Sequence, residues 1–147
     1  MNLGNTLSPD DLQSPPDLVM HPTSDTGPLP SSKKMGYALV LTDPDATSRA
    51  DPKLSEFCHW IAANFTGVSS QFDVMAKATE LIEYTPPAPP PRTGKHRYVF
   101  VLLAGPEGTK LTKPTERPHW GYGKVRHGVR DWAEENGLVV VGECWCL

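Results

Sequence analysis

The sequence has little excess charge, few cysteines and no long apolar run. Its 14 Lys and Arg against 17 Asp and Glu give a net charge of −3, so it lacks the basic excess that binding to a nucleic-acid backbone requires. The longest apolar run, residues 98–104, is far shorter than the roughly 20 residues that cross a bilayer. Residues 1–5 lack the pattern of a secretory signal. We therefore expect a cytoplasmic protein without a membrane span or a nucleic-acid partner.

The cysteines argue against a secreted disulfide framework. There are three, Cys58, Cys144 and Cys146, an odd number without the spacing of a zinc site. A single C-x-C segment is compatible with a metal clip or with oxidation, but packed or frayed thiols are the more frequent outcome. The sequence therefore predicts free thiols and no cofactor.

The strand pattern predicts a single, mostly β domain over residues 1–147 with a central sheet. Six of the 16 prolines precede residue 31, which predicts peripheral loops or short edge strands there. Residues 36–42 and 97–103 are continuous apolar segments typical of central buried strands. Shorter strands are predicted at residues 59–65, 80–84 and 138–141.

One segment has the periodicity of a helix. Val125, Val129, Trp132 and Ala133 repeat at the i, i+4, i+7 and i+8 spacing of one helix face. Gly137 follows as a stop signal at the C′ position. We expect one or two peripheral helices beside the sheet.

Three separated segments carry side chains suited to an anion. Asp43-Pro44-Asp45 precedes Cys58-His59-Trp60, and His96-Arg97-Tyr98 opens a predicted strand. Because alternate strand residues share a face, we expect His96 and Tyr98 to point the same way and Arg97 the other. The same alternation separates Cys58 from His59, which argues against a thiolate–imidazole dyad. Imidazoles, a phenol and carboxylates can together hold a phosphate and an amine.

A stiff proline segment, residues 86–91, lies between these groups. Its missing amide donors leave carbonyls available, so it is suited to form a pocket wall. Residues 87–92 also fit the P-x-x-P-x-R pattern of ligands for SH3 domains. We favour the wall, because a loop held closely by two strands is less free to enter an aromatic groove than a disordered tail.

At these residues the chain resembles the phosphatidylethanolamine-binding proteins, a family that includes Raf kinase inhibitor protein and fungal carboxypeptidase Y inhibitors. The resembling blocks are residues 42–49, 56–59 and 94–100. Residues 4–7, 55–59, 81–84 and 120–123 look most like the carboxypeptidase inhibitor branch. Relative to the family, the N-terminal end is shortened and the C-terminal end, with Cys144-Trp145-Cys146, is altered. Thr47 and Arg92 replace a proline and a glycine common among relatives.

The resemblance implies a β-sandwich with a central sheet and a small pocket for phosphate-like anions and phospholipid head groups, without catalytic turnover. It also implies protein partners, namely a serine carboxypeptidase or a signalling kinase. The positions that match the family's pocket are Asp43, Asp45, His59, Ala88, Pro89, His96 and Tyr98, with Trp60 and Pro90 near by.

The charges of these groups predict how the pocket would work. His59 and His96 would donate to the anion, Tyr98 would add its hydroxyl, and the aspartates would orient a ring or accept an ammonium. Two ionised Asp beside two neutral His would reject an anion, so we expect proton uptake on binding and tighter binding as the pH falls towards about 6.

Three alternatives stay open. Each residue taken singly is more often structural: a hydrogen-bonded His, an Asp-Pro-Asp turn, an Arg97 or Arg49 ion pair, or a core Trp60. A second alternative is inhibition of a serine carboxypeptidase. The third and least favoured is a phosphoester hydrolase with a metal held by His59, His96 and Asp43.

Overall fold

The computed structural model describes residues 5–16, 35–66 and 78–146, and the side chains of residues 65–66 and 143–146 lie outside that description. None of the described helices is long and apolar enough to cross a bilayer. The described elements are a 3-10 helix at Pro9–Leu12, strands β1 (Met35–Asp43), β2 (Phe57–Thr66), β3 (Thr79–Ile82) and β4 (Tyr98–Pro106), a 3-10 helix at His119–Gly121, helix α1 (Val129–Glu135) and strand β5 (Val139–Cys146).

The five described strands form one antiparallel sheet in the order β3-β2-β1-β4-β5. Strand β1 is central, and its Leu41 lies opposite Trp60 of β2 and Phe100 of β4. Every predicted strand is present within a few residues of its expected bounds. The predicted mostly β class with a central sheet and a peripheral helix is confirmed.

Both faces of the sheet are covered. On one face, Ala38 and Val40 of β1 pack with Trp132 of α1, and we call this the helix-side core. On the other, Leu39 and Leu41 pack with aromatic side chains, and we call this the ring-side core. A strand buried on both faces needs apolar residues at consecutive positions, which is why β1 and β4 read as continuous apolar runs. The aromatic members of the ring-side core are Tyr37, Trp60, Tyr98 and Phe100.

Strand β2 contains a bulge at His59. The pairing with β1 shifts between Leu41, opposite Trp60, and Thr42, opposite Cys58, so His59 has no partner in β1. Strict alternation would place Cys58 and Trp60 on one face. Instead Cys58 belongs to the helix-side core and Trp60 to the ring-side core, because the extra residue of a bulge re-aims the side chains that follow it.

Helix α1 is shorter than its apolar pattern indicates. Val125 lies outside the helix, because the φ of 68° at Arg126 is not helical. Its side chain is about half exposed. Gly128 precedes the first turn, and the Val129 N–H donates to the Glu56 carboxylate at 3.3 Å. The predicted stop is confirmed: Gly137 has a φ of 63° and its N–H donates to the Glu134 carbonyl.

The proline-rich leading segment is described only in part. Residues 5–16 are described, and there Leu12 accepts a hydrogen bond of 2.8 Å from the Tyr84 hydroxyl. The prediction of loops over residues 17–34 lies outside the described residues.

Leu103 tests how much the helix-side core contributes to stability. Its side chain is completely buried, so Leu103→Ala leaves a cavity and should lower the free energy of unfolding by about 3 kcal/mol in urea titrations. Val139→Ala is the control, because Val139 is 60% exposed and its truncation should change stability by less than about 0.5 kcal/mol. Equal losses in the two variants would contradict the core assignment.

Candidate functional site

Three aromatic rings from two separate segments of the chain meet at one end of the ring-side core. We call His59, His96 and Tyr98 the ring cluster. The ring centroids of His59 and Tyr98 are 5.4 Å apart with an edge-on geometry, and those of His96 and Tyr98 are 6.3 Å apart and stacked. All three side chains are buried. The structure thus brings together the rings that the sequence singled out.

His96 is held by hydrogen bonds at both ring nitrogens. Its Nδ1 donates to Asp43 Oδ2 at 2.8 Å, and its Nε2 lies 3.0 Å from the Thr93 hydroxyl oxygen. The other oxygen of Asp43 accepts from the backbone N–H of Asp45 at 2.7 Å. Asp43 therefore orients the imidazole, the role predicted for one of the two aspartates.

His59 is fixed in one neutral tautomer. Its Nδ1 lies 2.7 Å from the Thr85 carbonyl oxygen, which can only accept, so Nδ1 carries the proton and Nε2 has a lone pair in the neutral ring. Burial lowers the pKa of His59, the Thr85 carbonyl and the Asp43 charge oppose this shift, and Arg117 and His96 add to it. The His59 ring gains a second N–H donor, at Nε2, only when it takes up a proton.

Asp45 is bound by two arginines and does not bind the rings. Its carboxylate accepts from Arg97 Nε at 3.0 Å and Nη2 at 2.8 Å, and from the Arg97 backbone N–H. Arg49 adds an ion pair at 3.5 Å. Burial raises the pKa of Asp45, but the hydrogen bonds and charge of Arg97, with the charge of Arg49, outweigh burial and hold the pKa below its usual value. The predicted ion pairs of Arg97 and Arg49 are confirmed.

The proline loop, residues 85–93, is tied at its two ends to the two histidines. At one end the Thr85 N–H donates to the His59 carbonyl, and the His59 ring donates back to Thr85. At the other end the Pro90 carbonyl accepts from the N–H and hydroxyl of Thr93, whose oxygen also contacts His96. The exposed Ala88 and the half-buried Pro89 lie between these anchors.

The loop does not display its P-x-x-P-x-R pattern in the form that SH3 domains bind. Pro87 is buried. Arg92 has a φ of 71°, whereas a polyproline II helix needs a φ near −75°. This geometry favours the wall interpretation over the ligand interpretation.

Trp60 lies in the ring-side core next to this site. It is completely buried, packs edge-on against Tyr84 at 5.8 Å, and donates its indole N–H to Glu80 at 2.8 Å. These contacts match the structural alternative for Trp60.

Sequence reasoning missed the groups that support the rings. Arg117 donates to the carbonyls of Cys58 and His59 at 3.1 and 3.0 Å and to the Glu83 carbonyl, so it braces the bulge. Thr93 contacts His96 directly. No hydrophobic periodicity identifies these residues, because they act through backbone carbonyls or across a turn. The position of Thr93 three residues before His96 was the one sequence feature that indicated a contact.

Other reactive groups of the described residues lie outside the ring cluster. The thiol of Cys58 is buried, which raises its pKa to about 12, and the side chains of Cys144 and Cys146 are not described. Among the described residues, no three His, Cys, Asp or Glu side chains form a group that could hold a metal ion. A cavity of about 500 Å³ lies on the opposite side of the sheet, between α1 and strands β4 and β5.

Residues 1–142 match the family model of the phosphatidylethanolamine-binding proteins. The chain belongs to this family. It is 42% identical over 121 residues to the carboxypeptidase Y inhibitor of Saccharomyces cerevisiae, an alignment that covers 71% of this chain and 55% of that protein. It is 35% identical over 148 residues to the uncharacterized protein YLR179C of the same yeast, covering 97% of this chain and 72% of that protein.

Solved structures of the phosphatidylethanolamine-binding fold agree. A carboxypeptidase Y inhibitor, crystallised in complex with its cognate proteinase, superposes with a TM-score of 0.83 and 37% identity, covering 97% of this chain and 74% of that chain. The phosphatidylethanolamine-binding protein of Plasmodium vivax has a TM-score of 0.71 at 22% identity, covers 97% of this chain and 75% of that chain, and shows the fold alone. The chain spans about half the length of the curated yeast inhibitor.

The Asp45–Arg97 contact predicts how stability responds to acid. Asp45→Asn should lower the free energy of unfolding by about 2 kcal/mol at neutral pH, because it removes a charge-assisted pair. The pKa of Asp45 is lower in the native state than the value of about 3.9 in the unfolded state, so the ion pair stabilises the fold fully above the unfolded pKa. This stabilisation is lost as the pH falls through the native pKa. The difference between variant and wild type should therefore be constant above the unfolded pKa and vanish in urea titrations once the pH lies below the native pKa of Asp45.

Asp51→Asn is the matched control for this prediction. Asp51 pairs with Lys53 at 2.7 Å, but both side chains are exposed, so the pair should contribute little. A pH-independent loss in Asp45→Asn would contradict the ion-pair explanation.

Proposed function

We propose that this family member acts by binding and that it inhibits a serine carboxypeptidase. The observation that carries the proposal is the likeness to carboxypeptidase Y inhibitor, which is 42% identical over 121 residues and whose complexed structure superposes with a TM-score of 0.83. The central strand β1, buried along most of its length, supports this role, because a rigid scaffold loses little conformational freedom when it docks.

Binding without turnover is part of the same proposal. A nucleophile must be accessible and activated, whereas Cys58 is buried, has a pKa of about 12 and lies on the other side of the sheet from the ring cluster. The hydrolase alternative is not favoured, since both oxygens of Asp43 already accept hydrogen bonds from the chain itself.

An inhibition assay tests the main proposal. The purified chain should reduce hydrolysis of a peptide substrate by yeast carboxypeptidase Y with an inhibition constant below about 1 µM, the range expected of a specific protein interface. A serine endopeptidase assayed in parallel should keep its activity. Undiminished carboxypeptidase activity at about 100 µM of folded chain would refute the proposal.

We further propose that the ring cluster binds the phosphate of a phospholipid head group. The supporting observation is the convergence of two buried imidazoles and a phenol beside Asp43, with a loop anchored to both imidazoles. Buried charge-assisted donors hold an anion strongly, because the local dielectric is low. Because Asp43 already accepts a hydrogen bond from His96, it should attract the ammonium of a head group less strongly.

Proton uptake by His59 would accompany this binding. The neutral ring presents a lone pair at Nε2, which repels an anion, and protonation turns that nitrogen into a donor. Burial keeps the pKa of the unliganded ring below its usual value, while a bound anion raises it. Affinity should therefore increase as the pH falls through the interval between these two pKa values.

Calorimetric titration with glycerophosphoethanolamine tests this dependence, because a phosphodiester keeps its charge between about pH 6 and pH 8. Wild-type affinity should rise as the pH falls from 8 to 6, by at most about tenfold per pH unit for each proton taken up. His59→Gln keeps an N–H donor but takes up no proton at residue 59, so its affinity should rise less steeply with falling pH than that of wild type.

Three further variants, His59→Ala, His96→Ala and His127→Gln, complete this experiment. His96→Ala should weaken binding by about tenfold or more, since it removes a charge-assisted donor. His127→Gln is the control, because His127 is partly exposed and pairs with Asp131 outside the cluster. Unchanged affinity in both His59→Ala and His96→Ala would remove the ring cluster as the binding site.

A further inference from the structure

The Thr93 side chain occupies the ring nitrogen that an anion would need. Its hydroxyl oxygen lies 3.0 Å from His96 Nε2 and 2.7 Å from the Pro90 carbonyl oxygen. The opposite nitrogen, Nδ1, is bound to Asp43. His96 is therefore satisfied at both nitrogens by the chain itself.

This occupancy does not depend on where the hydroxyl proton lies. Because Nδ1 donates to Asp43, Nε2 carries a proton only when the ring is protonated, and then Nε2–H donates to the Thr93 oxygen while Thr93 donates to Pro90. In the neutral ring Thr93 donates to Nε2, and the Pro90 carbonyl still accepts the Thr93 backbone N–H at 3.2 Å. In both arrangements the hydroxyl is the hydrogen-bond partner of Nε2. An anion that binds there has to replace it.

The backbone around Thr93 holds the hydroxyl in place. Arg92 and Gly94, the residues on either side, have φ values of 71° and 80°, so the chain turns sharply at both. Gly94 adopts this conformation without strain, whereas Arg92 does so at a cost. The turn is closed by the two bonds from Thr93 to Pro90, and Lys95 donates to Thr6 at 2.9 Å beyond it.

We propose that Thr93 is an internal competitor for the anion at His96, and that its hydroxyl sets the affinity and selectivity of the ring cluster. The proposal rests on the proposed anion site. A phosphate oxygen would displace the hydroxyl from Nε2, which releases the Thr93 end of the proline loop from His96 while the Thr85 end stays bound to His59. A weak or poorly placed acceptor fails to replace the hydroxyl and is rejected.

Thr93→Val tests the competition, with Thr93→Ser as the matched control. Valine keeps the branched shape of threonine but forms no hydrogen bond, so it should bind glycerophosphoethanolamine about fivefold more tightly than wild type in calorimetric titrations at about pH 7. Thr93→Ser keeps the hydroxyl and should stay within about twofold of wild type. Weaker or unchanged binding by Thr93→Val, with normal binding by wild type, would overturn the competitor role alone.

A second measurement needs no ligand and separates this proposal from a merely structural role. In the unliganded protein, the ¹⁵N resonance of His96 Nε2, assigned by its loss in His96→Gln, should shift in Thr93→Val and return to its wild-type position in Thr93→Ser. The His59 resonances should stay in place, because His59 is bound at Thr85. An unmoved Nε2 resonance in Thr93→Val would overturn the hydrogen bond on which the competition depends.

The two measurements also distinguish the failure of the anion site. If none of the three proteins binds the phosphodiester while the Nε2 resonance shifts as expected, the anion site is refuted and the displacement of Thr93 with it. If wild type binds and only the predicted gain is missing, the anion site stands and the competitor role is refuted.

Discussion

The site depends on two aspartates, one at the end of the central strand and one two residues beyond it. Asp43 binds the ring of His96, and Asp45, two residues later, binds the side chain and backbone of Arg97. Two consecutive residues before β4 are thus held by the last residue of β1 and by a residue just beyond it. A buried carboxylate is costly without partners, so the two contacts fix the approach of the chain to β4 and, with it, the side on which His96 and Tyr98 lie.

The proline loop makes the ring cluster responsive to what binds there. The loop is stiff in its middle, because proline fixes φ. Its first residue, Thr85, is hydrogen-bonded to His59, and its last, Thr93, is hydrogen-bonded to His96. A change at either imidazole therefore acts on the anchoring of the same segment. The proposed anion site is thereby linked to the shape of an outer loop.

The strands and the family membership could be predicted from sequence, but the geometry of the site could not. Residues 36–42 and 97–103 read as strands because burial on both faces selects apolar residues at every position. No sequence pattern indicates the bulge at His59, because the bulge arises from a shift in the pairing of β1 with β2. The pattern also extended the helix to Val125, because an apolar repeat does not report the positive φ of Arg126.

The sequence by itself determined the class of fold, the family, and the residue types that meet in the cluster, because these follow from local apolar pattern and from motifs of short range. Its indication of a cytoplasmic location stays a prediction. Only the tertiary structure decided that Asp45 binds arginines, that Asp43 binds His96, and that Thr93 caps the remaining nitrogen. Hydrogen-bond partners across 50 residues are chosen by distance and angle in the folded chain, which no local pattern encodes.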